Sequence, residues 1–576
     1  MCRDDLAGAR VTAIPIPATP GVLDRFRELA ATHGDAVAMC TLRGEQYTWR
    51  EWHDASRQFA AALIAGGVAR GERIAILASN RPMWPIADVG ALLAGVISVG
   101  IYPTSAPSQL LEMLTDCEAR VIVVDTREQL AKILESRHQL PRLTHIVALE
   151  GEAPGVVPWN AWLASGAQAL GSDDVTDALD TAAHQSRGDD IAVMIYTSGS
   201  TGRPKGACIS LECLRASAAS TQATLGLTDA DTSLSFLPFS HAGERMFGLY
   251  TRIMVGMSAM IVTDIAEVWD AARAFEPTLF GGLPRFYEKV SEALRIAESH
   301  QATEADRRAI VRRHFGSKLR IATSGGAALP SVVARHLEAN GVVVLGAYGQ
   351  TEHLCVTFHR PERYGFDSVG WPMPGTELRI ATDGEVLVRR SGLTFSGYHG
   401  QPDETRAAFT ADGEWLYTGD LGMIAEHGQL VISGRKKELI ALSTGKKVAP
   451  LPIESALTDG PWISHAMLYG EGRKFISALL WLGRPVAEAW AREHGAEGDM
   501  EQLALRDEIR DAVRQSVERV NANLSRPEQV REWMLLASEP SVESGELTPT
   551  LKLRRKDVVA RYGHLLDSFY TGTVDR

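Results

Sequence analysis

The 576-residue chain has no apolar run long enough to cross a membrane. Its longest, Val89 to Tyr102, is too short and too rich in glycine, and reads as a buried helix entering a strand. Met1 to Pro20 lacks a basic start followed by an apolar core, which predicts no secretory signal. The six cysteines, Cys2, Cys40, Cys117, Cys208, Cys213 and Cys355, form no CxxC pair, which argues against a zinc site. They read as free thiols in a reducing compartment, so a cytoplasmic location is expected. Positive charge is also short: the net charge is -12, and the basic clusters Arg435-Lys436-Lys437 and Arg554-Arg555-Lys556 are brief. That excludes an extended nucleic-acid-binding face. No solenoid-length repeat is present.

What is present is an alternation of short apolar runs with helical stretches. Arg73-Ile-Ala-Ile-Leu-Ala78, Val121-Ile-Val-Val-Asp125 and Ile191-Ala-Val-Met-Ile-Tyr196 are examples. The pattern predicts an α/β fold with mostly parallel, buried strands. Gly151 to Asp190, rich in Ala, Gly, Ser and Asp, reads as a surface excursion. Near Lys437 the composition changes, and Pro450 and Pro452 break helix. A domain boundary is placed there, giving units 1–436 and 437–576. The second holds a strand and helix pattern with a long charged helix from about Asp499 to Asn523.

After the strand ending at Tyr196 comes Thr197-Ser-Gly-Ser-Thr-Gly-Arg-Pro-Lys-Gly206. Glycines at 199, 202 and 206 allow close backbone approach with inward N–H groups. The hydroxyls of Thr197, Ser198, Ser200 and Thr201 add donors, and Lys205 adds a cation. Such a loop suits a polyphosphate. It is not a Walker A motif, because Pro204 stands where the second glycine of that motif belongs.

This loop resembles the signature of the AMP-forming adenylate superfamily, which holds acyl-CoA synthetases, peptide-synthetase adenylation domains and luciferases. The resemblance spans about residues 24 to 570, with further motifs in the family's order. Ser324-Gly-Gly-Ala-Ala-Leu-Pro330 is similar to the adenine-side loop, carried by Gly325, Gly326 and Ala327. Ala347-Tyr-Gly-Gln-Thr-Glu352 resembles the Tyr-Gly-x-Thr-Glu motif. It implies Tyr348 stacked on adenine, Gly349 and Gln350 beside the nucleotide, Thr351 on the α-phosphate and Glu352 on Mg²⁺. Tyr417-Thr-Gly-Asp-Leu-Gly422 resembles the ribose motif, with Asp420 accepting from both hydroxyls. Gly434-Arg-Lys-Lys-Glu-Leu-Ile440 resembles the domain junction, with Arg435 reaching ribose or phosphate and Lys437 at the hinge. Leu547-Thr-Pro-Thr-Leu-Lys-Leu-Arg-Arg555 resembles the C-terminal catalytic motif, with Lys552 reaching carboxylate and α-phosphate together.

Three segments are most similar to long-chain fatty acyl-CoA synthetases: the Lys552 motif, Gly282-Leu-Pro-Arg-Phe-Tyr-Glu-Lys289 and Phe236-Leu-Pro-Phe-Ser-His-Ala-Gly-Glu-Arg-Met246. In the last, His241 sits near the acyl group or is a core histidine, and Glu244 and Arg245 pair with each other or with neighbours. The resemblance implies a large N-terminal domain of packed, mostly parallel sheets flanked by helices, and a small mobile α+β C-terminal domain. It implies ATP, Mg²⁺ and coenzyme A as reaction partners of a carboxylic acid, with adenylation first and thioester formation after a domain rotation. Departures from the long-chain pattern are Ala207-Cys-Ile-Ser-Leu-Glu-Cys213 and the polar His353-Leu-Cys355. They leave open a medium- or long-chain fatty acid, an aromatic acid, a carrier-protein thiol as acceptor, nitrite activation to diazotise an aryl amine, or a non-enzymatic nucleotide binder. The intact Lys552, Glu352 and Asp420 argue against a pure binder. Oligomeric state is not specified by the sequence.

Overall fold

A computed structural model describes residues 10–198, 204–541, 543–547 and 553–571, without the side chains of Ser198, Cys355 and Thr571. Among these residues, two large mixed sheets organise the first 400 positions. In the eight-stranded sheet, Ile97–Ile101, Arg73–Leu77, Val121–Val124, His145–Ala148 and Val156–Pro158 run parallel, with Ile191–Ser198 parallel to Ile97–Ile101. In the nine-stranded sheet, Val37–Thr41, Ser258–Ile261, Thr232–Ser235, Leu279–Gly282, Ile321–Ser324 and Val344–Gln350 are parallel. Apolar residues on both faces of these strands explain the unbroken Val/Ile/Leu runs. The expected α/β architecture is the observed one.

The helix Trp49–Ala65 is set by a capping box between Thr48 and Glu51, which satisfies donors at its first turn. It buries Trp49, Trp52, Phe59 and Leu63. Against it lies Met83–Leu93, buried along its whole length, followed by the strand Ile97–Ile101. That is the buried helix-to-strand unit expected for Val89 to Tyr102.

Two sequence expectations are corrected. Gly151 to Asp190 is not a surface excursion: it forms the helices Trp159–Ala169 and Asp173–His184. Trp159 and Trp162 pack on Phe59 at ring distances of 5.6 and 6.2 Å. A Cβ at Gly166 would stand 1.8 Å from the Gln58 carbonyl oxygen, so the small-residue composition serves close helix contact. The charged helix beyond Asp499 is two helices, Met500–Ala504 and Asp507–Asn521, parted at Leu505 and Arg506. Asp499 caps the first, while Arg506 adopts extended backbone before the second.

A third, five-stranded sheet contains Arg10–Val11, Leu378–Ile380, Glu385–Arg389, Trp415–Ile424 and Leu430–Arg435. Beyond it, Ile463–Tyr469, Ile476–Leu482 and Val530–Leu536 form a three-stranded sheet. One face packs with Ile453, Leu457, Ile509 and Val513, the other with the helix Arg555–Thr571 through Leu566 and Phe569. The C-terminal residues thus own two apolar clusters distinct from those of the large sheets.

Candidate active site

The sequence motifs converge on the carboxyl ends of parallel strands, where crevices form in open α/β sheets. Both large sheets turn antiparallel at the edge that carries a motif. Pro204–Ser210 returns antiparallel on Ile191–Ser198, pairing Lys205 with Thr197. His353–Phe358 returns on Val344–Gln350, leaving Thr351 and Glu352 as the turn. The expected strand Val342 to Leu345 starts later and continues through Tyr348, Gly349 and Gln350. A Cβ on Gly349 would meet the Leu354 carbonyl oxygen at 2.6 Å, so the hairpin closes only over glycine. Gly199, Ser200, Thr201 and Gly202 lie outside the described residues, as does Lys552; of Ser198 only the backbone is described.

A short segment stitches the two hairpins together. The Phe395 N–H donates to the Glu352 carbonyl (2.9 Å), Ser396 N–H to Cys208 (2.8 Å) and His399 N–H to Gly206 (2.8 Å). Gly397–Tyr398 thereby adds an edge strand to the eight-stranded sheet.

Asp420 is buried in strand Trp415–Ile424, directly opposite Arg435. Its two oxygens receive different donors: Tyr348 Oη at 2.6 Å and Arg435 Nε at 3.1 Å. Its own N–H is held by Thr418 Oγ1 (3.1 Å). Each carboxylate oxygen retains a further lone pair for a hydroxyl. Burial, and then the Asp420 carboxylate, push the Tyr348 phenol far above its ordinary range, so it stays protonated and donates. Arg435 is mostly exposed, able to serve both Asp420 and an incoming anion.

Lys205 is buried, and its ammonium pairs with Glu404 and lies 5.2 Å from the Tyr398 ring centre. The Tyr398 hydroxyl donates to Glu352 Oε1 at 2.5 Å. Burial and the Glu352 carboxylate raise the Tyr398 phenol, keeping it a donor. The Lys205 ammonium in turn lowers the Glu404 carboxyl. Tyr398 and Glu404 were missed by sequence reasoning. Gly-Tyr and Pro-Asp-Glu dipeptide-scale signals are too common to mark a site, and only the pairing of strands brings them to Lys205.

Gly325, Gly326 and Ala327 follow strand Ile321–Ser324, with Gly326 in the left-handed region (φ 78°) and exposed. Ser324 Oγ and Gln350 Nε2 are buried without a hydrogen-bond partner. Lys437 is exposed in the single turn Lys436–Glu438 that follows the ribose-motif sheet. The neighbouring Lys436 pairs with Asp383 (2.7 Å) and Glu385 (2.6 Å).

His241 is half-buried and its Nδ1 accepts from the Gly243 N–H at 3.0 Å. It precedes a π-helical segment, Glu244–Tyr250. Glu244 and Arg245 do not pair with each other. Arg245 pairs with Asp88, both fully buried, and Tyr250 donates to the other Asp88 oxygen at 2.6 Å. Glu244 accepts from Ser235 Oγ (2.6 Å), which itself accepts from Arg252 (2.6 Å). Burial pushes the Glu244 carboxyl up to about 7 despite Arg252. The adjacency of Glu244 and Arg245 sends their side chains to different faces of the helix, which is why neighbours in sequence are not partners. His353, read as polar lining, is fully buried between Thr394 Oγ1 (3.1 Å) and Thr376 Oγ1 (3.3 Å).

Among the described residues no three His, Cys, Asp or Glu side chains could together hold a metal ion. A single carboxylate, Glu352, does fit a magnesium ion that arrives on phosphate oxygens and keeps its waters.

Comparison with known proteins agrees with this geometry. The family model for AMP-binding enzyme matches residues 26–399, and that for the AMP-binding enzyme C-terminal domain matches 437–574. Long-chain-fatty-acid–CoA ligase FadD15 of Mycobacterium bovis is 30% identical over 613 aligned positions, covering 97% of this chain and 99% of the relative. Long-chain-fatty-acid–CoA ligase ACSBG1 of Rattus norvegicus is 31% identical, covering 95% and 85%. The anthranilate CoA ligase AuaEII, solved with anthranoyl-AMP, shares the fold at a TM-score of 0.79 and 24% identity, covering 96% of this chain and 99% of that one. With strands, hairpins and both family models in register along one chain, the protein belongs to the AMP-binding enzymes, the adenylate-forming superfamily its motifs resemble.

Proposed function

We propose that the chain activates a medium- or long-chain fatty acid with ATP and transfers the acyl group to coenzyme A. The observation that carries the nucleotide half is the buried Asp420 of strand Trp415–Ile424, held by Tyr348 and by the mostly exposed Arg435. The fatty-acid half is supported by relatives named long-chain-fatty-acid–CoA ligase at 30–31% identity over nearly the whole chain.

In the first step a carboxylate oxygen attacks the α-phosphorus of ATP, and pyrophosphate departs as the new P–O bond forms. Asp420 accepts from the ribose hydroxyls and Tyr348 lies along the adenine. Lys205, with the loop 197–202, takes the β- and γ-phosphates, and Thr351 donates to the α-phosphate. Gly325, Gly326, Ala327, Gly349 and Gln350 border the base. Glu352 would hold a magnesium ion arriving with ATP, which would supply positive charge against the phosphates. Lys552 reaches carboxylate and α-phosphate together, so the attack is oriented and its charge neutralised. His241 borders the acyl group.

In the second step the coenzyme A sulfur attacks the acyl carbonyl and AMP leaves with the electron pair of the broken C–O bond. The division into a large domain, 1–436, and a small one, 437–576, lets the latter rotate about Lys437 between the steps. Its separate apolar clusters support such independence. We place the enzyme in the cytoplasm on the reading of its cysteines as free thiols; no helix among the described residues is long and apolar enough to cross a membrane.

The test is pyrophosphate and AMP release with C8 to C18 acids, aromatic acids and nitrite, with and without coenzyme A or an acyl-carrier protein. Saturation by C8–C18 acids, with AMP release accelerated by coenzyme A, is expected. Turnover only with an aromatic acid, nitrite or a carrier protein overturns the assignment.

A further inference from the structure

We propose that Tyr398 is a positioning residue of the phosphate site, fixing Glu352 through its hydroxyl while carrying Lys205 on its ring. The proposal rests on the reading of Lys205 and Glu352 as nucleotide ligands. Three independent contacts argue for it. The Tyr398 hydroxyl reaches Glu352 Oε1 at 2.5 Å. The Lys205 ammonium lies 5.2 Å from the ring centre, within the range of a cation–π contact. The backbone leaves Tyr398 little freedom: it pairs with Ala207 in strand Pro204–Ser210, and the Thr405 hydroxyl receives its N–H at 2.9 Å.

Lys205 and Glu352 belong to hairpins on different sheets, so their separation is not set by either hairpin alone. Phe395 hydrogen-bonds the backbone of Glu352 and Ser396 that of Cys208. Tyr398, three residues after Phe395, repeats the link with side chains. A flexible lysine and a turn carboxylate lose less freedom on binding when both are already held. Glu404 completes the arrangement by pairing with the Lys205 ammonium. The same chemistry would serve any polyphosphate with its divalent cation, and ATP is the one the site accepts under the reading above.

The test is calorimetric binding of magnesium α,β-methylene-ATP to the full chain. Tyr398→Phe deletes the hydroxyl and keeps the ring. Loss of one hydrogen bond to a charged group predicts about tenfold weaker binding or more. In a Glu352→Ala background, which removes the acceptor, the same change should alter affinity by less than about twofold, and in a Lys205→Met background the full loss should persist. Tyr398→Leu, which removes ring and hydroxyl, should bind more weakly than Tyr398→Phe. Thermal melting of Tyr398→Phe within a few degrees of the parent separates binding from folding. Parent-like binding by Tyr398→Phe, or an undiminished loss in the Glu352→Ala background, overturns the proposal. Failure of the unmodified protein to bind the analogue overturns the nucleotide reading instead.

Discussion

The Asp420 and Asp88 carboxylates are both buried, both face an arginine and both accept from a tyrosine, yet they occupy opposite kinds of site. Asp420 meets a mostly exposed Arg435. Asp88 meets Arg245 with neither side chain reaching solvent. The same three chemical groups leave one partner open to solvent around Asp420 and enclose all three around Asp88. Burial of a charge therefore does not mark function: Arg245 also keeps buried N–H groups without a hydrogen-bond partner, and what sets Asp420 apart is the exposed side of its arginine.

Mutations sharpen this contrast. Asp420→Ala removes the proposed acceptor of the ribose hydroxyls and should lower kcat/KM for ATP by about 10²–10⁴-fold, a far larger effect than the stability cost of about 1–3 kcal/mol for leaving the Tyr348 hydroxyl without its acceptor. Steady-state kinetics and calorimetry of the same preparation check it. Arg245→Met should do the reverse. Leaving Asp88 buried and unpaired costs about 3–5 kcal/mol, read as a fall in the denaturation midpoint, while the surviving folded protein adenylates normally. A loss of adenylation larger than the loss of folded protein would place the Asp88 cluster in the catalytic machinery and break the comparison.

Glu244 supplies a graded version. Its carboxyl is raised to about 7 by burial, so the folded chain holds a proton that the unfolded chain releases above its ordinary value. Its neutral form is tolerated without penalty below pH 4.5, and stability is lost as pH rises toward 7. Glu244→Gln should flatten this slope, by an amount on the order of 3 kcal/mol across that window. Denaturation curves at pH 5 and pH 8 measure it; parallel slopes in parent and variant would refute the burial account. Least of all, Lys436→Ala takes the cation from exposed Asp383 and from buried Glu385, which keeps the Gly419 N–H at 3.0 Å, and should cost about 1–2 kcal/mol.

The nucleotide side was legible in the sequence because its chemistry depends on local runs. Thr197 to Gly206, Tyr348 to Glu352 and Thr418 to Asp420 each combine turn residues with a charge inside one short segment. The parallel strands were legible for a similar reason, since both buried faces demand continuous apolar residues, as in Val121–Val124. What escaped was set by distant pairing. Tyr398 and Glu404 meet Lys205 across about 200 residues, and no local pattern encodes that. The helices within 151–190 escaped because alanine and glycine there reflect close packing on Phe59 and Gln58 rather than a loop. The Glu244–Arg245 dipeptide left open a mutual pair or other partners, and only the fold supplies the answer: Ser235 for Glu244 and Asp88 for Arg245.

The account turns on adenylation being driven from the C-terminal module, and Lys552→Ala tests it by assaying the two half-reactions separately. Acid-dependent pyrophosphate exchange should vanish while supplied acyl-AMP is still converted to the thioester at a rate near that of the parent. Equal loss of both half-reactions, or retention of the first, would contradict it.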